Sequence, residues 1–497
     1  MTRILLTGLI YTCAGFCAQP GDDNWPQFRG PGGLGLGDDK ASLPSEFGPN
    51  KALLWKTELP VGHGSPCIWG NRIFVTGFDP GTRKLEVIAV ERKSGKIAWR
   101  QTVPTKDLEQ VHAVSSPATS TPVTDGDRIY VYSGSYGVLA YDWDGRPVWN
   151  FPLGVSQSPY GSGTSPVLAG ELVLITRDYP PDPFLLAIRK KDGTVAWKTE
   201  LVKSTRIGPR TAHSTPVIWN RQIVLNRPGE VAAYSLQDGT RLWWFPTASQ
   251  GTSSATAGNG VLYVNAPGMG TDTYTFAKLP PFSYALGKYD RDKDGKLSEA
   301  EAPANDLYFM KRAGVPDDVP GAHFTIKSFF SRVDSNQDGF VDEAEYNAAD
   351  RMLTPDTSIA AGILSIRPAG RGALTSAALE WSEPRAAPEV TTPLEYRGRV
   401  YVVTAGGIVS CIDANSGTVI YRGRVNAPGS YFASPVAAGG KVFVTSADGV
   451  VTVLGSGEKL EILSSNDLGE SVYGTPALVD SAIYIRSVGH LWAFGGK

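Results

Sequence analysis

The sequence predicts an all-β chain, an eight-bladed β-propeller of four-stranded blades with a small α-helical insertion. Three observations carry this. A Ser/Thr-Pro pair followed by an apolar run recurs along the chain. Many of the 56 Gly and 36 Pro sit at turns between short β-branched runs. One repeat is stretched, with Trp243 and Trp381 138 residues apart but Trp197 and Trp243 only 46.

The chain has 497 residues, 41% hydrophobic and 19% charged, which suits a compact core. Its net charge of −2 offers no basic patch and argues against a nucleic-acid partner. Residues 1–18 read as a signal peptide. Arg3 supplies the positive start, an apolar stretch runs from Ile4 to about Phe16, and Ala18 closes it. That stretch is too short to span a bilayer as a mature helix, and no later segment is long and apolar enough. Lipidation at Cys13 or Cys17, and a buried first strand, are the weaker readings. The mature chain is expected in the periplasm or outside the cell, as a monomer.

The propeller is expected over residues 19–269 and 358–497. Its pairs are Ser65-Pro66, Thr121-Pro122, Ser165-Pro166, Thr215-Pro216, Thr392-Pro393, Ser434-Pro435 and Thr475-Pro476, with Ser254-Ala255 as a degenerate copy. That makes eight blades of about 40 to 50 residues. Each later carries a small residue, a Gly turn and an aromatic, as in Ala89, Gly95 and Trp99, or Ala187, Gly193 and Trp197. The aromatic is expected to pack between neighbouring blades. The last blade holds only three strands before Lys497. Leu53-Leu54-Trp55-Lys56 has the fourth-strand pattern with no blade before it, so its docking there would close the ring. Cys67 aligns with Val123 and Val167, and Cys411 with Ala89 and Ala187, so both read as small core residues.

The insertion, residues 270–357, carries two loops of the form D-x-[DN]-x-[DN]-G with Glu at position twelve. The first uses Asp290, Asp292, Asp294, Lys296, Ser298 and Glu301. The second uses Asp334, Asn336, Asp338, Phe340, Asp342 and Glu345. A hard cation such as calcium needs oxygen ligands at positions one, three and five, a carbonyl from seven, a water held by nine and a bidentate Glu at twelve. Gly295 and Gly339 provide the sharp turn, and Leu297 and Val341 can form a bridge between paired loops. Ile326, Phe329, Phe330 and Val333 have helical spacing before the second loop. Leu286 and Tyr289 do the same before the first, while Pro303 weakens the helix after it. Two calcium ions are therefore expected.

The blades resemble the pyrroloquinoline-quinone-like repeat of quinoprotein alcohol dehydrogenases and of the periplasmic lipoprotein of the outer-membrane β-barrel assembly machinery. Ala187 to Trp197 and Ala233 to Trp243 carry this best, and the opening Trp25-Pro26-Gln27-Phe28-Arg29-Gly30-Pro31 is similar to the start of such exported propellers. The insertion resembles the EF-hand superfamily, which implies calcium binding. Quinoprotein dehydrogenases carry two adjacent cysteines beside the quinone. No Cys-Cys pair and no C-x-x-C-H haem sequence occurs here, so the resemblance assigns no quinone ligand to a named residue.

Loops entering the first strand of each blade gather at one end of a propeller, around its axis. His63, His112, Arg210 and His213 fall in such loops, as do Tyr160, Tyr431 and Tyr473. They form either a ligand site or a polar rim, and the rim is the simpler reading. The sequence thus favours a calcium-binding, exported scaffold for a protein partner or a small ligand in the channel. The alternative is a quinone-dependent dehydrogenase with its site in that channel.

Overall fold

The computed structural model describes residues 23–158, 160–202, 212–267, 274–312, 322–353 and 359–496. The expected signal peptide, with Cys13 and Cys17, lies outside them, as does Arg210. The chain folds as an eight-bladed β-propeller of four-stranded blades. Blade 1 runs Cys67–Trp69, Arg72–Asp79, Lys84–Glu91 and Ile97–Thr102, and the later blades repeat this antiparallel order. In blade 4 the second and third strands form one run, Gln222–Ser235. The outer strand of that blade, Arg241–Gln250, takes a further parallel strand, Gly372–Ala373, lent by blade 5.

Ring closure follows the expected route. Leu53–Glu58 pairs antiparallel with His490–Gly495, with Thr57 opposite Leu491, and completes blade 8. An edge of unpaired N–H and C=O groups is covered that way.

The spacing of small residue and aromatic has a direct cause. Ala89 stands opposite Trp99 across adjacent strands, Ala140 opposite Trp149, Ala187 opposite Trp197 and Cys411 opposite Tyr421. The small partner leaves the ring free to lean onto the next blade. There it lies on the Gly of the following turn. A Cβ on Gly95 would sit 2.7 Å from Trp55, and one on Gly145 2.6 Å from Trp99. The indole N–H then donates into the same turn, from Trp55 to Arg92 O at 2.9 Å and from Trp149 to Lys190 O at 2.8 Å. Trp243 departs from the pattern. Its N–H donates to Gln222 Oε1 at 2.8 Å, and its strand pairs instead with Gly372–Ala373.

Cys67 and Cys411 are free and fully buried in separate inter-blade clusters. Burial pushes the Cys411 thiol up to about 11 and the Cys67 thiol higher still. Such thiols are inert packing groups at neutral pH.

The long repeat opens between strands Val261–Ala266 and Gly362–Ile366 of blade 5. Between them lie helices α1 (Phe282–Tyr289), α2 (Phe330–Val333) and α3 (Glu343–Leu353), and a sheet of Tyr274–Phe276, Tyr308–Arg312 and His323–Thr325. The insert has its own apolar core, with Phe282, Leu297, Ile326, Phe330, Val341 and Tyr346 among its members.

Candidate functional site

The Ser/Thr of each repeat pair serves the ring as a whole. Ser65 N–H donates to Thr121 Oγ1, Thr121 to Ser165, Ser165 to Thr215 and Thr215 to Ser254. Ser254 then donates to Thr392, Thr392 to Ser434, Ser434 to Thr475 and Thr475 back to Ser65. All eight bonds measure 2.9–3.1 Å, so a closed belt of backbone donors and hydroxyl acceptors circles the axis. The degenerate pair Ser254-Ala255 keeps its hydroxyl and loses only the proline.

The belt encircles a cavity of about 730 Å³, within the range of small-molecule sites. The N-terminal segment crosses one side of it. Trp25 pairs with Ile68 of blade 1, Pro26 O accepts from Thr124 of blade 2, and Gly35 and Gly37 bond Ala437 of blade 7. Arg29 holds this crossing together. It is fully buried, and its guanidinium donates to the carbonyls of Gly33, Leu34, Pro393 and Pro435 at 3.0–3.1 Å. Burial lowers its pKa, and the four carbonyls favour the charged form. Neighbouring Phe28 faces the cavity. On the insert side, Met310 and Phe324 line the cavity, so the insert forms part of its wall.

The rim histidines divide into two sites. His63 lies flat on Tyr473, ring centres 4.0 Å apart, and both line the cavity. Tyr160 stands between His112, at 5.4 Å, and His213, at 6.2 Å. His213 and Tyr160 line the cavity, while His112 is exposed beside it. Burial lowers both His63 and His213 to about 4, so both are neutral at pH 7. Tyr431, expected on the rim, is buried in the core between blades 6 and 7 and donates to Ala427 O at 2.7 Å. Phe432 faces the cavity in its place, 5.3 Å from Tyr473.

One polar group of this region carries no sequence signal. Glu109 is 4% exposed, in the loop that also bears His112 and the cavity residues Val114 and Ser115. Burial raises its carboxyl to about 7 despite hydrogen bonds from Ser162 and Ser156 and the charge of Arg177.

The acidic loops have EF-hand geometry. Gly295 and Gly339 take φ of 82° and 87° at position six. Asp290, Asp292 and Asp294 bring carboxylate oxygens within 4.8 Å of one another. Glu301 turns back onto its loop, accepting from Arg291 N at 2.8 Å and from Ser298 Oγ at 2.7 Å and N at 3.0 Å. These bonds, chiefly those of Ser298, hold its carboxyl at about 2. In the second loop Asp334 accepts from Gly339 N at 3.0 Å, and Glu345 from Ser335 N at 2.9 Å. Leu297 pairs with Val341, and Ser298 with Phe340, joining the loops back to back. Lys296 Nζ reaches Asp338 of the other loop at 3.1 Å.

Comparison with known proteins follows the same division. The family model described as outer membrane protein assembly factor BamB matches residues 45–277 and 366–485, on either side of the insert. An EF-hand model matches residues 326–348, the second loop and its flanking helices. The outer membrane protein assembly factor BamB of Yersinia pestis is 24% identical over 209 residues, 40% of this chain and 49% of the relative. The chain thus spans about half the length of the curated relative it matches. Quinohemoprotein alcohol dehydrogenase from Comamonas testosteroni superposes with a TM-score of 0.54 at 12% identity, covering 96% of this chain and 81% of that one. A europium-containing methanol dehydrogenase gives 0.53 at 12% identity, covering 96% and 98%. At such identity the likeness is one of fold.

Proposed function

From a chain that belongs to the family described as outer membrane protein assembly factor BamB, we propose a calcium-binding exported propeller that works as a ligand-binding or interaction scaffold. The single observation that carries calcium is the pair of complete loops joined through Leu297 and Val341. The insert, residues 270–357, binds two ions. Asp290, Asp292, Asp294 and Glu301 supply side-chain oxygens to one, Lys296 its carbonyl, and Ser298 holds a water. Asp334, Asn336, Asp338 and Glu345 serve the other in the same way, with Phe340 and Asp342. Glu301 and Glu345 release their own-loop hydrogen bonds when they turn to the metal.

The channel is the scaffold's second working surface, a cup walled by all eight blades. The relative's name speaks for an envelope protein that engages other proteins, and residues 1–18 speak for export. No helix among the described residues is long and apolar enough to cross a membrane.

Titration calorimetry on the full mature chain tests the calcium reading. Two ions should bind with dissociation constants of about 10⁻⁴ to 10⁻³ M, the range of extracellular modules. Replacing Glu301→Gln and Glu345→Gln together should remove most of the heat. Undiminished binding in that double variant overturns the assignment.

A further inference from the structure

We infer that the channel is a binding site for a neutral saccharide of one or two rings, a step that rests on reading the channel as a ligand cup. The argument starts at the belt. Each of its eight hydroxyls accepts one backbone N–H, and none donates a hydrogen bond to a described residue. A hydroxyl that has accepted one bond keeps its O–H and a second lone pair. Every belt residue is at least nine-tenths buried, and every one lines the cavity. The wall therefore offers a circle of uncommitted groups, each able both to donate and to accept.

Two further observations point the same way. The ring nitrogens of His63 and His213 make no hydrogen bond to a described residue, and both rings line the cavity. Neutral imidazole adds one donor and one acceptor per ring. Flat faces stand beside these polar groups, with His63 on Tyr473 at 4.0 Å and Phe432 against the same tyrosine. A sugar ring presents an apolar C–H face for such a surface and hydroxyls around its edge.

Charge separates this ligand from an anionic one. Among the described residues, the charged side chains lining the cavity are Arg385, Glu389 and Arg422, all from the blade 5 and 6 side, and Arg422 is already paired with Glu383 at 3.2 Å. Arg29 spends its donors on backbone carbonyls. A polycarboxylate would thus enter a wall of neutral groups with few counter-ions, at a desolvation cost that a neutral polyol avoids.

The test is saturation-transfer NMR and calorimetry on the full mature chain with glucose, N-acetylglucosamine and maltose, beside gluconate and pyrroloquinoline quinone. At least one neutral sugar should bind saturably and one to one. His63→Phe and His213→Phe keep a ring but lose its nitrogens, and each should weaken binding about tenfold. Circular dichroism and the melting temperature report whether the variants fold, and the wild-type titration stands without them. No sugar binding while gluconate or the quinone binds overturns the saccharide and keeps the cup. No binding by any of the five overturns both, and sugar binding unchanged in folded variants places it outside the channel and overturns the proposal. The calcium titration is independent, so its failure leaves this result readable.

Discussion

Around the channel, each belt hydrogen bond joins residues 39 to 410 positions apart. In the insert, Glu301 and Glu345 take their bonds from within their own loops, at most ten positions away. The ring is thus held by distant partners that only the complete fold brings together. The loops are local devices whose remaining partner, on the proposed reading, is an ion. Loss of one long-range contact should weaken the whole ring, whereas loss of the ion should loosen one insert. The insert's separate apolar core supports that separation.

Arg29→Met breaks the comparison most severely. It strands four carbonyls that the guanidinium now serves, two of them on blades 6 and 7. A loss of about 3–5 kcal/mol is expected, read as a lower urea midpoint. Calcium affinity should not move in the variant that remains folded. Arg29→Lys should recover little, because an ammonium cannot reproduce the fork.

The blades were legible for a related reason. The cross-strand pairing of Ala89 with Trp99 leaves a fixed spacing in the chain, and so does the docking of Trp55 on Gly95. The EF-hand loops are equally legible, since every position of the motif lies within twelve residues. Arg29 gave no such signal. Its partners are main-chain carbonyls 364 and 406 positions away, which any residue type supplies. The belt was half legible. Its Ser and Thr were visible, but their bonds to the next blade were not. His63 and His213 line one cavity with His112 exposed beside it, yet His63 pairs with Tyr473 while His112 and His213 meet Tyr160. Tyr431 shows the limit, because its neighbour Phe432 took the cavity-facing place and no periodicity distinguishes the two.

A smaller effect is expected at the blade junction. Gly95→Ala places a methyl 2.7 Å from the Trp55 ring at a φ of 70°, so ring and turn must separate. About 2 kcal/mol should be lost in chemical denaturation, with calcium binding again unchanged. The converse experiment removes calcium with a chelator. Amide exchange should then quicken across α1, α2 and α3 while the belt amides of Ser65 and Thr121 stay protected. Equal acceleration in both regions would show that the insert and the ring are one cooperative unit.

The mildest test uses pH. Glu109 has a folded pKa raised to about 7 by burial, above its unfolded value near 4.5. The native state therefore holds a proton there that the unfolded chain has released. Stability from this site is complete below about pH 4.5 and is lost as pH rises through 7, at up to about 1.4 kcal/mol per unit between. His63 and His213 act with the opposite sign. Their folded values are lowered to about 4, so the unfolded chain takes up protons first, and stability falls as pH drops from 6.5 towards 4. Two histidines outweigh one carboxyl below pH 6.5, and above it the tail of their titration offsets most of the carboxyl's. The wild-type curve should therefore rise between about pH 4.5 and 7 and stay nearly level above that. Glu109→Gln should steepen the rise between about pH 4.5 and 6.5 to roughly twice the wild-type slope, because the carboxyl no longer offsets one histidine. Its loop carries Val114 and Ser115 to the cavity, so the same variant should also flatten any pH dependence of ligand binding between pH 6.5 and 7.5. An acid limb that the substitution leaves unchanged would locate the titrating group elsewhere in the ring.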